Sequence, residues 1–286
     1  MVHSPSTSGS IRRLEDADRE ALLRELDRDP YGCLYLRSLV HEYGVSPTGH
    51  TEHGRFHARV EQGRVGAVAF LGNARNLSTA GPAHELESVL DHCLQPGLPL
   101  LFVGPVEHAP AVRRGFARAG AQPFLDRDQT YYVLTPDSLA PLQDTPLRPA
   151  RAEELDRVAE AQAAMTGEDL GIPVSRLDVV KLRQLLRRRM ELGKVWVIME
   201  GDRLLFKTEE VARSPEGILV GGVYTDPRAR GQGHAARGLA AWARILFGEG
   251  LDVLALHVDA RNRPAVRAYR RVGFQPHSDL RLILAY

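Results

Sequence analysis

Cysteine is nearly missing from this sequence: only Cys33 and Cys93 occur in 286 residues. Two are too few for a disulfide framework and lack the spacing of a metal knot, so a reducing cytoplasm is the expected setting. No apolar run reaches membrane-spanning length, and the polar, serine-rich first ten residues lead into no signal-like apolar stretch. Neither secretion nor a membrane partner is therefore expected. An excess of positive charge is absent too. The 37 Lys and Arg balance 36 Asp and Glu, leaving no overall field to hold a polyanion, so nucleic acid is not an expected partner. What is there is ordinary for a globular chain, with 43% hydrophobic and 26% charged residues. That composition buries real cores, and 286 residues are long for one core and comfortable for two.

Along the chain, apolar residues from Ile11 to Tyr43 recur at helical spacing, and Asp29-Pro30 breaks them into two helices. Residues 56–60 and 64–71 read as strands about a Gln62-Gly63 turn, with a short strand near Leu77. A helix after Pro82 stops by Pro96-Gly97. A strand at 100–103, a helix at 109–119 ending at Gly120, and a strand at 129–134 follow. The proline-bearing residues 138–146 read as a linker between domains at 1–137 and 147–286. Beyond it the order recurs: helices at 152–165 and 176–192, strands at 195–199, 204–212 and 218–225, a helix at 232–247, a strand at 253–258, a helix at 264–272 and a strand at 281–285. An offset of 153 residues places Arg118, Gly120, Gln122, Pro123 and Asp126 onto Arg271, Gly273, Gln275, Pro276 and Asp279. The expected fold class is α/β, in the α+β sense, built from an internal repeat.

The second half carries the chemistry. Its strand at 218–225 runs through Asp226-Pro227-Arg228-Ala229 into Arg230-Gly231-Gln232-Gly233-His234-Ala235 and then a helix. Glycines let the backbone approach a ligand, successive N–H groups point inward, and the helix N-terminus adds partial positive charge. A pyrophosphate suits such a cradle. Downstream stand Asn262, Ala265, Tyr269, Gly273 and Phe274, in the order Asn-x-x-Ala-x-x-x-Tyr-x-x-x-Gly-Phe. Tyr269 follows Asn262 by seven residues, about two helical turns, so both can face one cleft.

Together the two motifs resemble the GNAT superfamily of acetyl-CoA-dependent N-acetyltransferases over residues 147–286. The family's Arg/Gln-x-x-Gly-x-Gly/Ala loop corresponds to Arg230, Gly231, Gln232, Gly233, His234 and Ala235, and its asparagine and tyrosine to Asn262 and Tyr269. The resemblance implies a mixed, mostly antiparallel, twisted sheet flanked by helices. Its fourth and fifth strands would splay apart so that pantetheine meets the free edge at Val223, Tyr224 and Thr225. It implies acetyl-CoA as cosubstrate, no metal, and Tyr269 as the proton donor to the departing thiolate. Two GNAT-like halves with activity in the second resemble mycothiol synthase and related two-domain acetyltransferases in architecture.

The acceptor is expected to be a primary amine, on a small molecule or on a protein lysine or N-terminus, attacking directly. Making a lysine-like amine neutral at pH 7 costs about 3.4 pK units, or roughly 4.6 kcal/mol. A base should help, and three candidates stand out. Glu209 and Glu210 are adjacent on a strand, so only one can face the cleft. His257 lies near the end of the fifth strand. The basic helix at 176–192, with Lys181, Arg183, Arg187, Arg188 and Arg189, reads as a solvated face on the acceptor side. In the first half the same offset puts Phe116 where Tyr269 stands and Ala109 where Asn262 stands. The stretch 72–81 holds no Arg-x-x-Gly-x-Gly/Ala arrangement, so this half is expected to be a non-catalytic copy. The alternative from another class is an acetyl-CoA-binding sensor or scaffold that has lost catalysis.

Overall fold

A computed structural model describes residues 9–96, 101–171 and 173–286. The expected strand start at Leu100 and helix stop at Gly97 lie outside the described residues. The first ten elements are β1 Ser10–Arg13, α1 Arg19–Leu26, α2 Leu34–Tyr43, β2 Gly54–Glu61, β3 Arg64–Gly72, β4 Asn76–Ala80, α3 Ala83–Cys93, β5 Leu101–Pro105, α4 Ala109–Arg118 and β6 Pro123–Leu134. After them come β7 Arg148–Pro149, α5 Leu155–Leu170, α6 Val179–Glu191, β8 Val195–Glu200, β9 Arg203–Ser214, β10 Gly217–Thr225, α7 His234–Gly248, β11 Val253–Asp259, α8 Arg263–Val272 and β12 Gln275–Ala285. None of the described helices is long and apolar enough to cross a membrane.

One stretch differs from its expected type. Residues 10–13 form a strand rather than the start of a helix, pairing antiparallel with β2 from Ser10↔Val60 to Arg13↔His57. Three apart, Ile11 and Leu14 would share a helix face but fall on opposite faces of a strand, where they join different cores; the ladder settles it, with Leu14 N donating to Phe56 O at 2.8 Å.

The chain divides into two compact units, one reaching Tyr131 and including His277–Tyr286, the other Tyr132–Pro276. In the first unit the strand order is β1-β2-β3-β4-β5-β12-β6. Pairing is antiparallel from β1 to β4 and parallel between β4 and β5. The second unit repeats this, with β7, β8, β9 and β10 antiparallel in turn and β10–β11 parallel. The same order with the same strand senses is a repeated fold, and both copies cap a helix with a left-handed glycine, Gly120 (φ 78°) and Gly273 (φ 112°).

Alternation along the strands places cores on both sheet faces. On β3, Val68 and Phe70 pack with Leu22, Leu26 and Phe56, while Ala67, Ala69 and Leu71 pack with Leu90, Phe102 and Phe116. The second unit has one core around Trp242, Phe206, Ile218 and Leu254, and another joining α5 and α6 to the sheet through Val158, Leu186, Val195 and Val197.

The last strand of the chain belongs to the first unit. β12 pairs with β5 from Leu280↔Pro105 to Leu284↔Leu101, buries Ile283 and Ala285, and pairs Arg281 with Asp126 and Asp128. The proline-bearing stretch is packed on the second unit: Leu139, Leu142 and Leu147 lie against its core, Ala140 N donates to Val272 O at 2.8 Å, and Arg244 pairs with Asp144 at 2.6 Å. Contacts divide the chain within β6, between Tyr131 and Tyr132.

Candidate active site

In the second unit the parallel ladder of β10 and β11 holds only Gly217↔Val253, Ile218↔Leu254 and Leu219↔Ala255. Both strands continue, to Thr225 and Asp259, so they part after three pairs. A bulge turns β10 at this point: its register with β9 jumps between Gly221↔Glu209 and Tyr224↔Lys207. Gly222 sits in the bulge with φ +58°, and a Cβ there would lie 2.7 Å from Glu209 Oε1 and 2.8 Å from Lys207 Nζ. Glycine is required on both counts. Past the bulge, Val223, Tyr224 and Thr225 are half-buried, on the edge that β11 has left.

The loop that follows is held from its flanks. Asp226 accepts from Arg228 N at 2.8 Å and from Arg203 Nε at 2.8 Å. Arg230 donates from Nε to Thr225 O at 3.1 Å, pairs with Glu168 at 2.8 Å, and lies 5.8 Å from the Tyr224 ring centre. Gly231 and Gly233 both take left-handed backbone, φ +79° and +81°. Among the described residues, no N–H from Gly231 to Ala236 donates to a backbone carbonyl; the first helical bond is Arg237 N to Gly233 O at 3.0 Å. A Cβ on Gly231 would meet nothing within 4 Å, whereas one on Gly233 would lie 2.9 Å from Arg237 Nη1 and 3.8 Å from Arg271 Nη1. Unsatisfied donors, a helix N-terminus and two guanidinium groups converge, and this donor set fits a diphosphate. Arg237 Nη1 donates to Gln232 O at 2.9 Å. His234 meets Gln232 Oε1 at 3.4 Å, and desolvation, then Arg237, hold its imidazole below the ordinary pKa.

Asn262 has a structural role as the N-cap of α8: its side chain accepts from Ala265 N at 3.2 Å. Seven residues on, Tyr269 is 6% exposed, and its ring lies 5.9 Å from that of Phe274. Burial, with a smaller contribution from the charge of Asp169, raises the pKa of its hydroxyl. The group therefore stays protonated at neutral pH, as a proton donor must.

The three base candidates occupy different environments. Glu209 is 2% exposed and accepts from Lys207 Nζ and, at 2.9 Å, from Arg189 Nη1. Burial works to raise its pKa, but the two cations outweigh burial and hold it below the usual carboxylate range. Lys207 is fully buried, and burial lowers its pKa against the pull of Glu209. Lys207-x-Glu209 on a strand puts opposite charges on one face, a signal the sequence carries for this pair. Glu210, on the other face, pairs with Arg213 at 2.8 Å and Lys194 at 3.9 Å. His257 lies on β11 beyond its last pair with β10 and is solvent-exposed. Desolvation by the protein around it lowers its pKa, favouring neutral imidazole at pH 7. Among the described residues no group of three or more His, Cys, Asp or Glu is placed to hold a metal. Burial pushes the thiols of Cys33 and Cys93 up to about 12.

In the first unit the parallel strands part as well, β4 and β5 running on to Ala80 and Pro105 beyond Leu77↔Phe102, but the residues around the gap differ. Phe116, fully buried, stands in place of Tyr269. Only Gly81 and Pro82 separate β4 from α3, where residues 226–233 separate β10 from α7. The stretch 72–81 instead contains the end of β3, a turn and β4. His108 bridges from Thr79 Oγ1 (2.8 Å) to Gly81 O (3.0 Å), beyond the last β4–β5 pair at Leu77↔Phe102.

Residues 193–274 match the model of the acetyltransferase (GNAT) family. Solved structures match nearly the whole chain in fold. A Drosophila protein aligns with a TM-score of 0.70 at 16% identity, covering 96% of this chain and 98% of its own. A GCN5-related N-acetyltransferase from Sphaerobacter thermophilus gives 0.56 at 18%, covering 99% and 96%, and a GNAT-family acetyltransferase from Colwellia psychrerythraea 0.55 at 15%, covering 97% and 100%. No curated protein sequence matches the chain.

Proposed function

From the premise that this chain carries a GNAT-family acetyltransferase domain, we propose that it moves the acetyl group of acetyl-CoA to a primary amine by direct attack. One observation carries the reading: β10 and β11 part after Leu219 and Ala255, and the opened edge leads directly into a loop of free N–H groups beginning α7. Acetyl-CoA supplies an activated thioester there. In this reading the backbone from Gly231 to Ala235, with Arg237 and Arg271, binds the diphosphate. Val223, Tyr224 and Thr225 orient the pantetheine arm along their edge, and an N–H of this segment donates to the thioester carbonyl oxygen as charge develops.

His257 takes the proton of the acceptor ammonium, because it is the candidate both accessible and neutral at pH 7. As the N–C bond forms and the C–S bond breaks, the attacking nitrogen gives its second proton to water while Tyr269 gives its proton to sulfur and is reprotonated from water, leaving the amide, the free CoA thiol and the one proton held by His257. Glu209 and Glu210 serve as ion-paired structural carboxylates. The raised thiol pKa values of Cys33 and Cys93 favour direct attack over an acyl-cysteine route. The first unit serves as a non-catalytic partner. Screening a panel of small amines and lysine peptides for release of free CoA thiol tests the reading; turnover with at least one amine is expected, and none across both classes would count against it.

A further inference from the structure

Helix α8 carries more positive charge than its packing needs. Arg263, Arg267, Arg270 and Arg271 fall within about 100° of arc at 100° per residue, opposite the buried Tyr269 and Val272. All four are exposed. Among the described residues none of them takes part in an ion pair, whereas other arginines of the second unit do, Arg148, Arg203, Arg230 and Arg261 among them. Four like charges on one face repel one another, and nothing in the fold of α8 requires them.

The face has an address. Its Arg271 end reaches the anion loop, 3.8 Å from the position of a Cβ on Gly233, where Arg237 converges from α7. From there the arginines continue along the helix to Arg263, about 12 Å at 1.5 Å per residue. A diphosphate at the loop uses Arg237 and Arg271 and leaves Arg263, Arg267 and Arg270 over. That surplus matches a ligand with a further phosphate a short distance from its diphosphate. A phosphate monoester carries about −1.5 to −2 charge at pH 7 and accepts several charge-assisted bonds from guanidinium groups.

Resting on the acetyl-CoA reading above, we infer that the α8 arginine face recognises the 3′-phosphate of the cosubstrate's adenosine, so that the site selects acetyl-CoA over its 3′-dephospho form. The selectivity lies in Arg263, Arg267 and Arg270, while Arg271 is shared with the diphosphate.

Calorimetric titration of the full chain with acetyl-CoA and with 3′-dephospho-acetyl-CoA, in low and in raised salt, tests this. The intact protein should bind the dephospho form at least tenfold more weakly, with the difference shrinking as salt rises. Arg263→Gln/Arg267→Gln, both exposed and outside the packed face, should lower affinity for acetyl-CoA to about that for the dephospho form and leave the latter nearly unchanged. Equal affinity of the intact protein for the two ligands overturns the inference and leaves the diphosphate site standing. Discrimination that survives in both the double variant and Arg270→Gln also overturns it, by placing the selectivity elsewhere. Binding of neither ligand overturns the cosubstrate reading, and this inference with it.

Discussion

Removing the carboxylate of Glu209 should destabilise the second unit more than removing its whole ion pair. Glu209 lies beneath the β10 bulge and holds Lys207, fully buried, with Arg189 reaching in from α6. Glu209→Leu strands a buried ammonium with no acceptor, which costs about 3–5 kcal/mol when one partner of a buried pair is lost. Lys207→Met/Glu209→Leu removes both buried charges and leaves Arg189, which is 21% exposed and reaches water. The double variant should therefore recover most of the loss, with a coupling energy above about 2 kcal/mol.

The pH dependence has a definite sign. In Glu209→Leu burial acts on Lys207 unopposed, so its folded pKa falls further below the unfolded value of about 10.4. Between those two pKa values the unfolded chain binds more protons than the native one, so stability rises with pH. The single variant should gain on the parent as pH rises towards the unfolded value of about 10.4. Urea unfolding read by tryptophan fluorescence is the assay, since the protein's two tryptophans, Trp196 and Trp242, both lie in the second unit. A double variant no more stable than the single one, or a single variant that weakens as pH rises, would refute the argument.

Gly233→Glu forces a side chain into a left-handed position beside Arg237 and sets a carboxylate in the anion loop; calorimetry should find acetyl-CoA affinity reduced at least a hundredfold, and unchanged affinity in a folded variant would remove the loop assignment. Tyr269→Phe should slow single turnover by about ten- to a hundredfold with affinity nearly intact, a split that a packing role alone would not produce. With His257 as base, the rate should climb with pH through an apparent pKa below 6.5; His257→Gln should lower the rate and erase that limb, and a limb that persists would reassign the base. The intact chain should bind one acetyl-CoA, because His108 and Phe116 occupy the first unit where the second has its open edge and Tyr269; a stoichiometry of two would give the first unit a site. The intact chain is the right material, since a fragment ending at Asp137 lacks β12, which completes that unit's sheet.

The loop and α8 were legible in the sequence because both are local. Arg230 to Ala235 and Asn262 to Phe274 lie within single turns or helices, where spacing fixes geometry. The repeat was legible for the same reason, through the helix-cap glycines Gly120 and Gly273. The destination of β12 was not, because a strand's period places its faces and says nothing of which sheet accepts its edge. The packing of Leu139 and Leu142 leaves no local signature, because prolines nearby read as a linker whether or not the chain around them is buried. Glu209 reads as a possible base in sequence because its partner Arg189 reaches it from α6, twenty residues upstream, which no local pattern shows.

The most direct test of acetyl transfer follows the acetyl group itself. Acetyl-CoA labelled in its acetyl carbon, incubated with the full chain and a mixture of primary amines, should yield a labelled N-acetyl amide by mass spectrometry, with about ten- to a hundredfold less label in Tyr269→Phe at matched short times. Tight binding of labelled acetyl-CoA with no labelled amide from any amine would contradict the account and identify the domain as a cosubstrate-binding module without catalysis.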